Sequence, residues 1–133
     1  MARGRTRSLE PKLISPKEAV KLQRQGAKLV DVREAYEHNA RRIEGSLSVP
    51  LSTLPPKLDD LQHPVIFYCQ TGTRTVEASE RLKAIAPPHS VQLAGGLDAW
   101  MEAGLPVTGG EKANLVGADL LKRLLNSINK ANP

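Results

Sequence analysis

Val65-Ile66-Phe67-Tyr68-Cys69-Gln70-Thr71-Gly72-Thr73-Arg74-Thr75 is the stretch on which the reading of this chain turns. Its apolar opening reads as a short buried strand, its polar middle as a loop, and Val76-Glu77-Ala78-Ser79-Glu80-Arg81-Leu82 behind it as the start of a helix. A thiol therefore stands at a strand end, on a loop that feeds a helix N-terminus. Open parallel α/β sheets bind ligands at that place, because backbone N–H groups and the positive end of a helix dipole converge there. Such a field favours the thiolate of Cys69 over its thiol. Gly72 lets the loop curl so that successive amides turn inward, and Arg74 at its far side adds a fixed positive charge for an anionic substrate. A lone cysteine is more commonly a small buried hydrophobe, and it is the company of Gly72, Arg74 and the helix that favours chemistry here.

Outward from this stretch the pattern alternates. Lys28 to Val32 reads as a second buried strand, with weaker strand signals at Ser46 to Val49 and Ser90 to Leu93. Helical stretches fall between them at Glu34 to Asn39, Ser52 to Asp60, Val76 to Ala86 and Leu97 to Ala103. Nearer the start, Ser15-Pro16-Lys17-Glu18 carries the marks of a helix beginning: a capping serine, a proline at the first helical position and a glutamate that closes a capping box. Gly26 stops that helix. Strands alternating with helices predict an α/β fold, a parallel sheet covered on both faces. The length of 133 residues suits one domain, expected at 13–109, with a basic disordered tail at 1–12 and a linker plus C-terminal helix at 110–133. In that last segment Val116, Leu120, Leu121, Leu124, Leu125 and Ile128 recur at helical spacing. They make 116–129 an amphipathic helix suited to self-packing or to a homodimer contact.

Charge and cysteine usage remove several function classes. The chain carries +5 overall, but residues 1–12 hold four basic and one acidic residue and residues 111–133 hold four basic and two acidic. The stretch between them is balanced, so no basic stripe marks the body. Aromatic residues amount to 3%, too few for single-strand nucleic-acid binding by stacking. The single cysteine excludes an intrachain disulfide framework and suits a reducing cytoplasm. Arg3, Arg5 and Arg7 are not followed by an apolar run, and no stretch approaches the roughly 20 apolar residues of a membrane span. His38, His63 and His89 lack metal-ligand spacing and read as surface residues. Asp31 and Arg33 read first as a structural pair at a strand end, with a supporting role at the site as the sharper alternative.

Cys69-Gln70-Thr71-Gly72-Thr73-Arg74-Thr75 behind an apolar strand resembles the active-site loop of rhodanese-type sulfurtransferases. Leu29-Val30-Asp31-Val32-Arg33-Glu34 resembles the family's early D-V-R strand end, and Ile43-Glu44-Gly45-Ser46 its I-x-G-[AS] turn. Gly95-Gly96-Leu97-Asp98-Ala99-Trp100 with Gly104-Leu105-Pro106-Val107 resembles its closing signature. The loop resembles in particular the rhodanese domain of bacterial membrane-associated sulfurtransferases. The resemblance implies a three-layer fold around a parallel sheet of about five strands, and a thiosulfate sulfurtransferase that works by double displacement. Cys69 would be the nucleophile and persulfide carrier, and Gln70, Thr71, Gly72, Thr73, Arg74 and Thr75 would bind the substrate. Cyanide, a thiol, a dithiol or a protein would accept the sulfur, with no metal or organic cofactor. A persulfide carrier that docks a partner protein is the second reading. A phosphatase or arsenate reductase is a third, disfavoured because those loops place five residues between cysteine and arginine, whereas four separate Cys69 from Arg74.

Overall fold

The computed structural model describes residues 11–58 and 63–110. Five short strands, β1 (Leu13–Ile14), β2 (Lys28–Asp31), β4 (Leu47–Ser48), β5 (Val65–Tyr68) and β6 (Val91–Leu93), form one sheet in the order β1-β6-β5-β2-β4. Every pairing in it is parallel. The two central strands, β2 and β5, are in register from Lys28 opposite Val65 to Asp31 opposite Tyr68, so both chains leave the sheet at the same edge. β3 (Arg42–Ile43) and β7 (Val107–Thr108) pair antiparallel as a separate ribbon.

Helices cover both faces, because the side chains of β2 and β5 alternate between two aliphatic cores. One core gathers Leu29, Ile66 and Tyr68 with Ala19 of α1 (Pro16–Arg24) and with Leu97 and Trp100 of α5 (Gly96–Glu102). The other gathers Val30, Val65, Phe67 and Cys69 with Ala78 and with Leu82 of α4 (Ser79–Ile85). α1 begins where the Ser15 box placed it: Ser15 Oγ accepts from the Glu18 N–H at 3.1 Å and Glu18 Oε1 accepts from the Ser15 N–H at 2.9 Å. α2 (Ala35–Ala40) follows β2, as the helix signal at Glu34 to Asn39 anticipates.

Three local expectations are corrected. The helix expected over Val76 to Ala86 is two helices: α3 (Thr73–Glu77) starts earlier, inside the expected loop, and ends at Ala78, where α4 takes over. The helix expected from Ser52 is instead a single 3-10 turn, Leu51–Thr53, after which Pro55 and Pro56 withhold the amide donors a helix needs. Val107 and Thr108, where the sequence reading places no strand, form β7, which is tied down because the Trp100 indole N–H donates to the Pro106 carbonyl at 2.9 Å. The expected tail up to residue 10 and the expected helix at 116–129 lie outside the described residues. Among the described residues, no helix is long and apolar enough to cross a membrane.

Candidate active site

Cys69 follows β5 directly and is fully buried, at the carboxyl edge of the sheet. Gly72 turns the chain back with φ of 96°, a left-handed conformation that costs glycine little. That turn brings the Gly72 N–H to 3.2 Å from Cys69 Sγ. It also places the buried Thr75 hydroxyl 3.6 Å from the sulfur and 3.0 Å from the Gly72 carbonyl, to which it donates. The hydroxyl has one proton. While Gly72 holds it, a Cys69 S–H can point at Thr75 Oγ1, and once the sulfur is ionised the same proton can swing to it. The amides of Thr73, Arg74 and Thr75 occupy the first turn of α3, where no intrahelical acceptor exists.

Two arms hold this loop. In the first, Asp31 at the end of β2 accepts from three donors of Arg33, its backbone N–H at 2.9 Å, Nε at 3.0 and 3.2 Å to the two carboxylate oxygens, and Nη2 at 2.7 Å. Arg33 then donates through Nη1 to Gln70 Oε1 at 2.9 Å and through Nη2 to the Arg41 carbonyl. Gln70 completes the line with its own amide, donating to Asp98 Oδ1 of α5 at 2.6 Å. Burial opposes the Arg33 charge, but the hydrogen bonds and charge of Asp31 outweigh it and keep the guanidinium firmly protonated. Asp31 and Arg33 thus form the buried structural pair expected of them, and Arg33 additionally positions the residue next to Cys69.

The second arm runs through Arg74. Its guanidinium forks onto Glu37 of α2 at 2.9 and 3.0 Å, and this bonding, helped by the Glu34 N–H, lowers the Glu37 carboxyl to about 2. Arg74, expected to add a fixed positive charge for an anionic substrate, is held in a bidentate ion pair with Glu37. Thr71 and Thr73 bond each other through their hydroxyls at 3.2 Å on the exposed rim.

α5 closes the loop from above. The Leu97 and Asp98 amides donate to the carbonyls of Cys69 and Gln70 at 2.8 and 3.0 Å. This contact requires Gly96, since a Cβ there would lie 2.4 Å from the Cys69 carbonyl oxygen. Tyr68 reaches the other way. Its hydroxyl accepts from the Ile43 N–H at 3.1 Å and bonds Ser46 Oγ at 2.8 Å, docking the 43–46 turn on β5, and burial reinforced by the charge of Asp31 pushes the phenol up to about 12.

The sequence reading missed four participants. Glu37 shows locally only as the third residue of a helix, where it bonds the Glu34 N–H at 2.9 Å, and its pairing with Arg74 spans 37 positions. His38, read as a surface residue, is buried, with Nδ1 2.9 Å from Asp31 Oδ2; facing an arginine-paired carboxylate, that nitrogen is the donor. His63 and His89 are exposed as expected. Asp98 and Gln92 are the others, Gln92 donating to the Thr75 carbonyl at 3.1 Å and to Ser79 Oγ at 3.0 Å from β6. Among the described residues, no group of three His, Cys, Asp or Glu side chains is placed to hold a metal ion.

Comparison with known proteins agrees with this arrangement. The family model of the rhodanese-like domain matches residues 15–103. The uncharacterized protein slr1261 of Synechocystis is 38% identical over 96 residues, 70% of this chain and 54% of that protein, so the chain spans about half the length of this relative. Human thiosulfate:glutathione sulfurtransferase is 30% identical over 94 residues, covering 57% of this chain and 80% of the human one. Among solved structures, a thiosulfate sulfurtransferase from Pseudomonas aeruginosa superposes with a TM-score of 0.67 at 25% identity, covering 77% of this chain and 20% of that one. With a parallel five-stranded sheet, a cysteine loop at its carboxyl edge and a family match that encloses the loop and four of the five strands, the chain belongs to the rhodanese-like domain family.

Proposed function

We propose that this protein is a thiosulfate sulfurtransferase in which Cys69 carries the sulfur as a persulfide. The observation that carries the reading is the setting of Cys69 Sγ, 3.2 Å from a backbone N–H and 3.6 Å from a hydroxyl, on a turn continuous with the uncommitted amides of α3. The Cys69 thiolate attacks the outer sulfur of thiosulfate. The S–S bond of the donor breaks, sulfite departs with its electron pair, and the terminal sulfur stays on the enzyme as a persulfide anion. Preorganised amides of Thr73, Arg74 and Thr75 hold that anion without reorganising. An acceptor nucleophile then attacks the terminal sulfur and regenerates the thiolate, cyanide leaving as thiocyanate and a thiol as its persulfide. The site residues are Cys69 as nucleophile, Gln70 to Thr75 as the sulfur-binding loop, and Asp31 with Arg33 as positioning residues. The catalytic unit is 13–109, and its chemistry calls for no cofactor.

A second reading concerns the acceptor. Leu13, Tyr36 and Val76 are large apolar side chains left exposed at 49, 74 and 42%, and all three line clefts that border the loop. Apolar surface around a sulfur-bearing loop favours docking of a protein thiol over a freely diffusing small acceptor.

Incubation with thiosulfate should raise the intact mass by one sulfur atom, and cyanide should then restore it with release of thiocyanate. Cys69→Ser should show neither change. Retention of sulfur by that variant would overturn the assignment, and rapid transfer to protein thiols beside slow transfer to cyanide and glutathione would favour the second reading.

A further inference from the structure

We propose that Arg41 is the residue that reads the charge of the sulfur donor, a proposal that rests on the sulfurtransferase reading. A cleft of about 330 Å³ borders the loop, lined by Arg33, Tyr36, Glu37, Arg41, Gln70 and Leu97, with Ala40 at its edge. Gln70 is the neighbour of Cys69 in sequence, so an anion in this cleft lies against the segment that bears the nucleophile.

Among the side chains that line the cleft, the charges cancel except at one point. Arg33 is neutralised by Asp31 in a buried pair. Glu37 is neutralised by the bidentate Arg74. Arg41 is exposed; among the described residues its guanidinium hydrogen-bonds only to Met101 Sδ at 3.7 Å, a weak acceptor, and forms no ion pair. The remaining positive charge of the cleft is therefore that of Arg41. A planar fork of donors suits sulfonate oxygens.

The backbone of Arg41 is held by bonds that do not involve its own side chain. Its N–H donates to the Glu37 carbonyl at 3.0 Å, and its own carbonyl accepts from Arg33, the residue that also bonds Gln70. The charge is thus carried on a frame shared with the loop, and replacing the side chain leaves that frame intact. Arg42 supplies an internal control. It carries the same charge one position along, but its Nη1 donates to the His38 carbonyl at 3.2 Å and it does not line the cleft.

The ligand class is a compact dianion with a sulfonate end. The test compares thiosulfate with methanethiosulfonate, a monoanion that delivers its outer sulfur to a thiolate and leaves as methanesulfinate. Arg41→Gln should raise KM for thiosulfate about five- to tenfold, the loss of one charge-assisted contact, with kcat within about twofold and a smaller rise for the monoanion. Arg42→Gln should leave both KM values within about twofold. Binding is read separately by titrating thiosulfate into Cys69→Ser, with and without Arg41→Gln, following amide chemical shifts. Weaker binding in the double variant supports the proposal whether or not sulfur is transferred. Equal affinities in the two proteins, or equal KM changes for Arg41→Gln and Arg42→Gln, would overturn it. Absence of any wild-type persulfide refutes the sulfurtransferase reading alone.

Discussion

Replacing Gly96 by alanine should destabilise the fold by about 3–4 kcal/mol and displace the loop that carries Cys69. Gly96 has φ of 59°, and a Cβ built there lies 2.4 Å from the Cys69 carbonyl oxygen, 2.7 Å from that of Gln70 and 2.8 Å from the Gln70 carbonyl carbon. All three atoms are backbone, so no rotamer change relieves the clash. The left-handed backbone alone costs a non-glycine residue about 1–2 kcal/mol. Restoring ordinary contact requires the start of α5 to withdraw by about an ångström, which stretches the Leu97 and Asp98 hydrogen bonds to the loop from 2.8 and 3.0 Å beyond useful range. Each contributes about 1 kcal/mol, which completes the expected loss. Gly104→Ala isolates the conformational part, because Gly104 has φ of 76° and nothing lies within 4 Å of where its Cβ would stand. Thermal unfolding followed by circular dichroism should lower Tm by about 10–15 °C for Gly96→Ala and by about 3–8 °C for Gly104→Ala. The rate of Cys69 persulfide formation should fall only in the former. Equal Tm shifts in the two variants would refute the argument, since the steric contact is what separates them.

Two further outcomes follow from the polar network. Glu37→Gln should cost about 1 kcal/mol at pH 7, a value held down by the exposure of Arg74, whose side chain is 40% accessible. The native Glu37 carboxyl is lowered from 4.5 to about 2, so its contribution is present above pH 4.5 and fades toward pH 2; urea midpoints of wild type and variant should converge there, and a gap that widens in acid would contradict the pairing. Tyr68 is raised from 10.0 to about 12, so neutral Tyr68 stabilises the fold below pH 10 and that stabilisation declines as pH rises through 12. Tyr68→Phe should lose about 1–2 kcal/mol at neutral pH through the orphaned Ile43 N–H, and a Tm unchanged from wild type would sink that account.

The parts of this molecule legible in its sequence are those whose cause is local. A capping box, a four-residue apolar strand and a glycine turn each act over a few positions, and Ser15, Val65–Tyr68 and Gly72 do in the fold what their neighbours in sequence imply. The misreadings share the opposite character. Apolar residues between Leu51 and Leu58 pack against the second core without an α-helix, because Pro55 and Pro56 decide the backbone and burial comes from the facing layer. Val107 and Thr108 carry little strand signal and become β7 only because β3 is there to pair with. His38 looks like a polar surface residue until the Asp31 carboxylate is brought to it. At the site the same division holds: Cys69, Gly72 and Thr75 are readable from the loop, whereas the destination of Arg74 is set by α2, a contact that no local pattern announces.

That destination bears on the choice between sulfur and phosphorus chemistry. A phosphatase-type loop uses its arginine as a fork for two oxygens of a tetrahedral oxyanion, which requires a guanidinium with both arms available. Here both Nη atoms of Arg74 are engaged by Glu37, and releasing them would leave a carboxylate without its counter-charge beside the site. The loop is also one residue shorter, with Gly72 turning the chain close enough for its N–H to touch the sulfur itself. Both features reduce the room and the charge offered to a large oxyanion. The arginines of the loop's frame, Arg33 and Arg74, are spent on holding the backbone in that shape. In the sulfur transfer proposed above, stabilisation of the sulfur anion falls to fixed peptide dipoles, whose frame is held by the two ion pairs at either side of the loop.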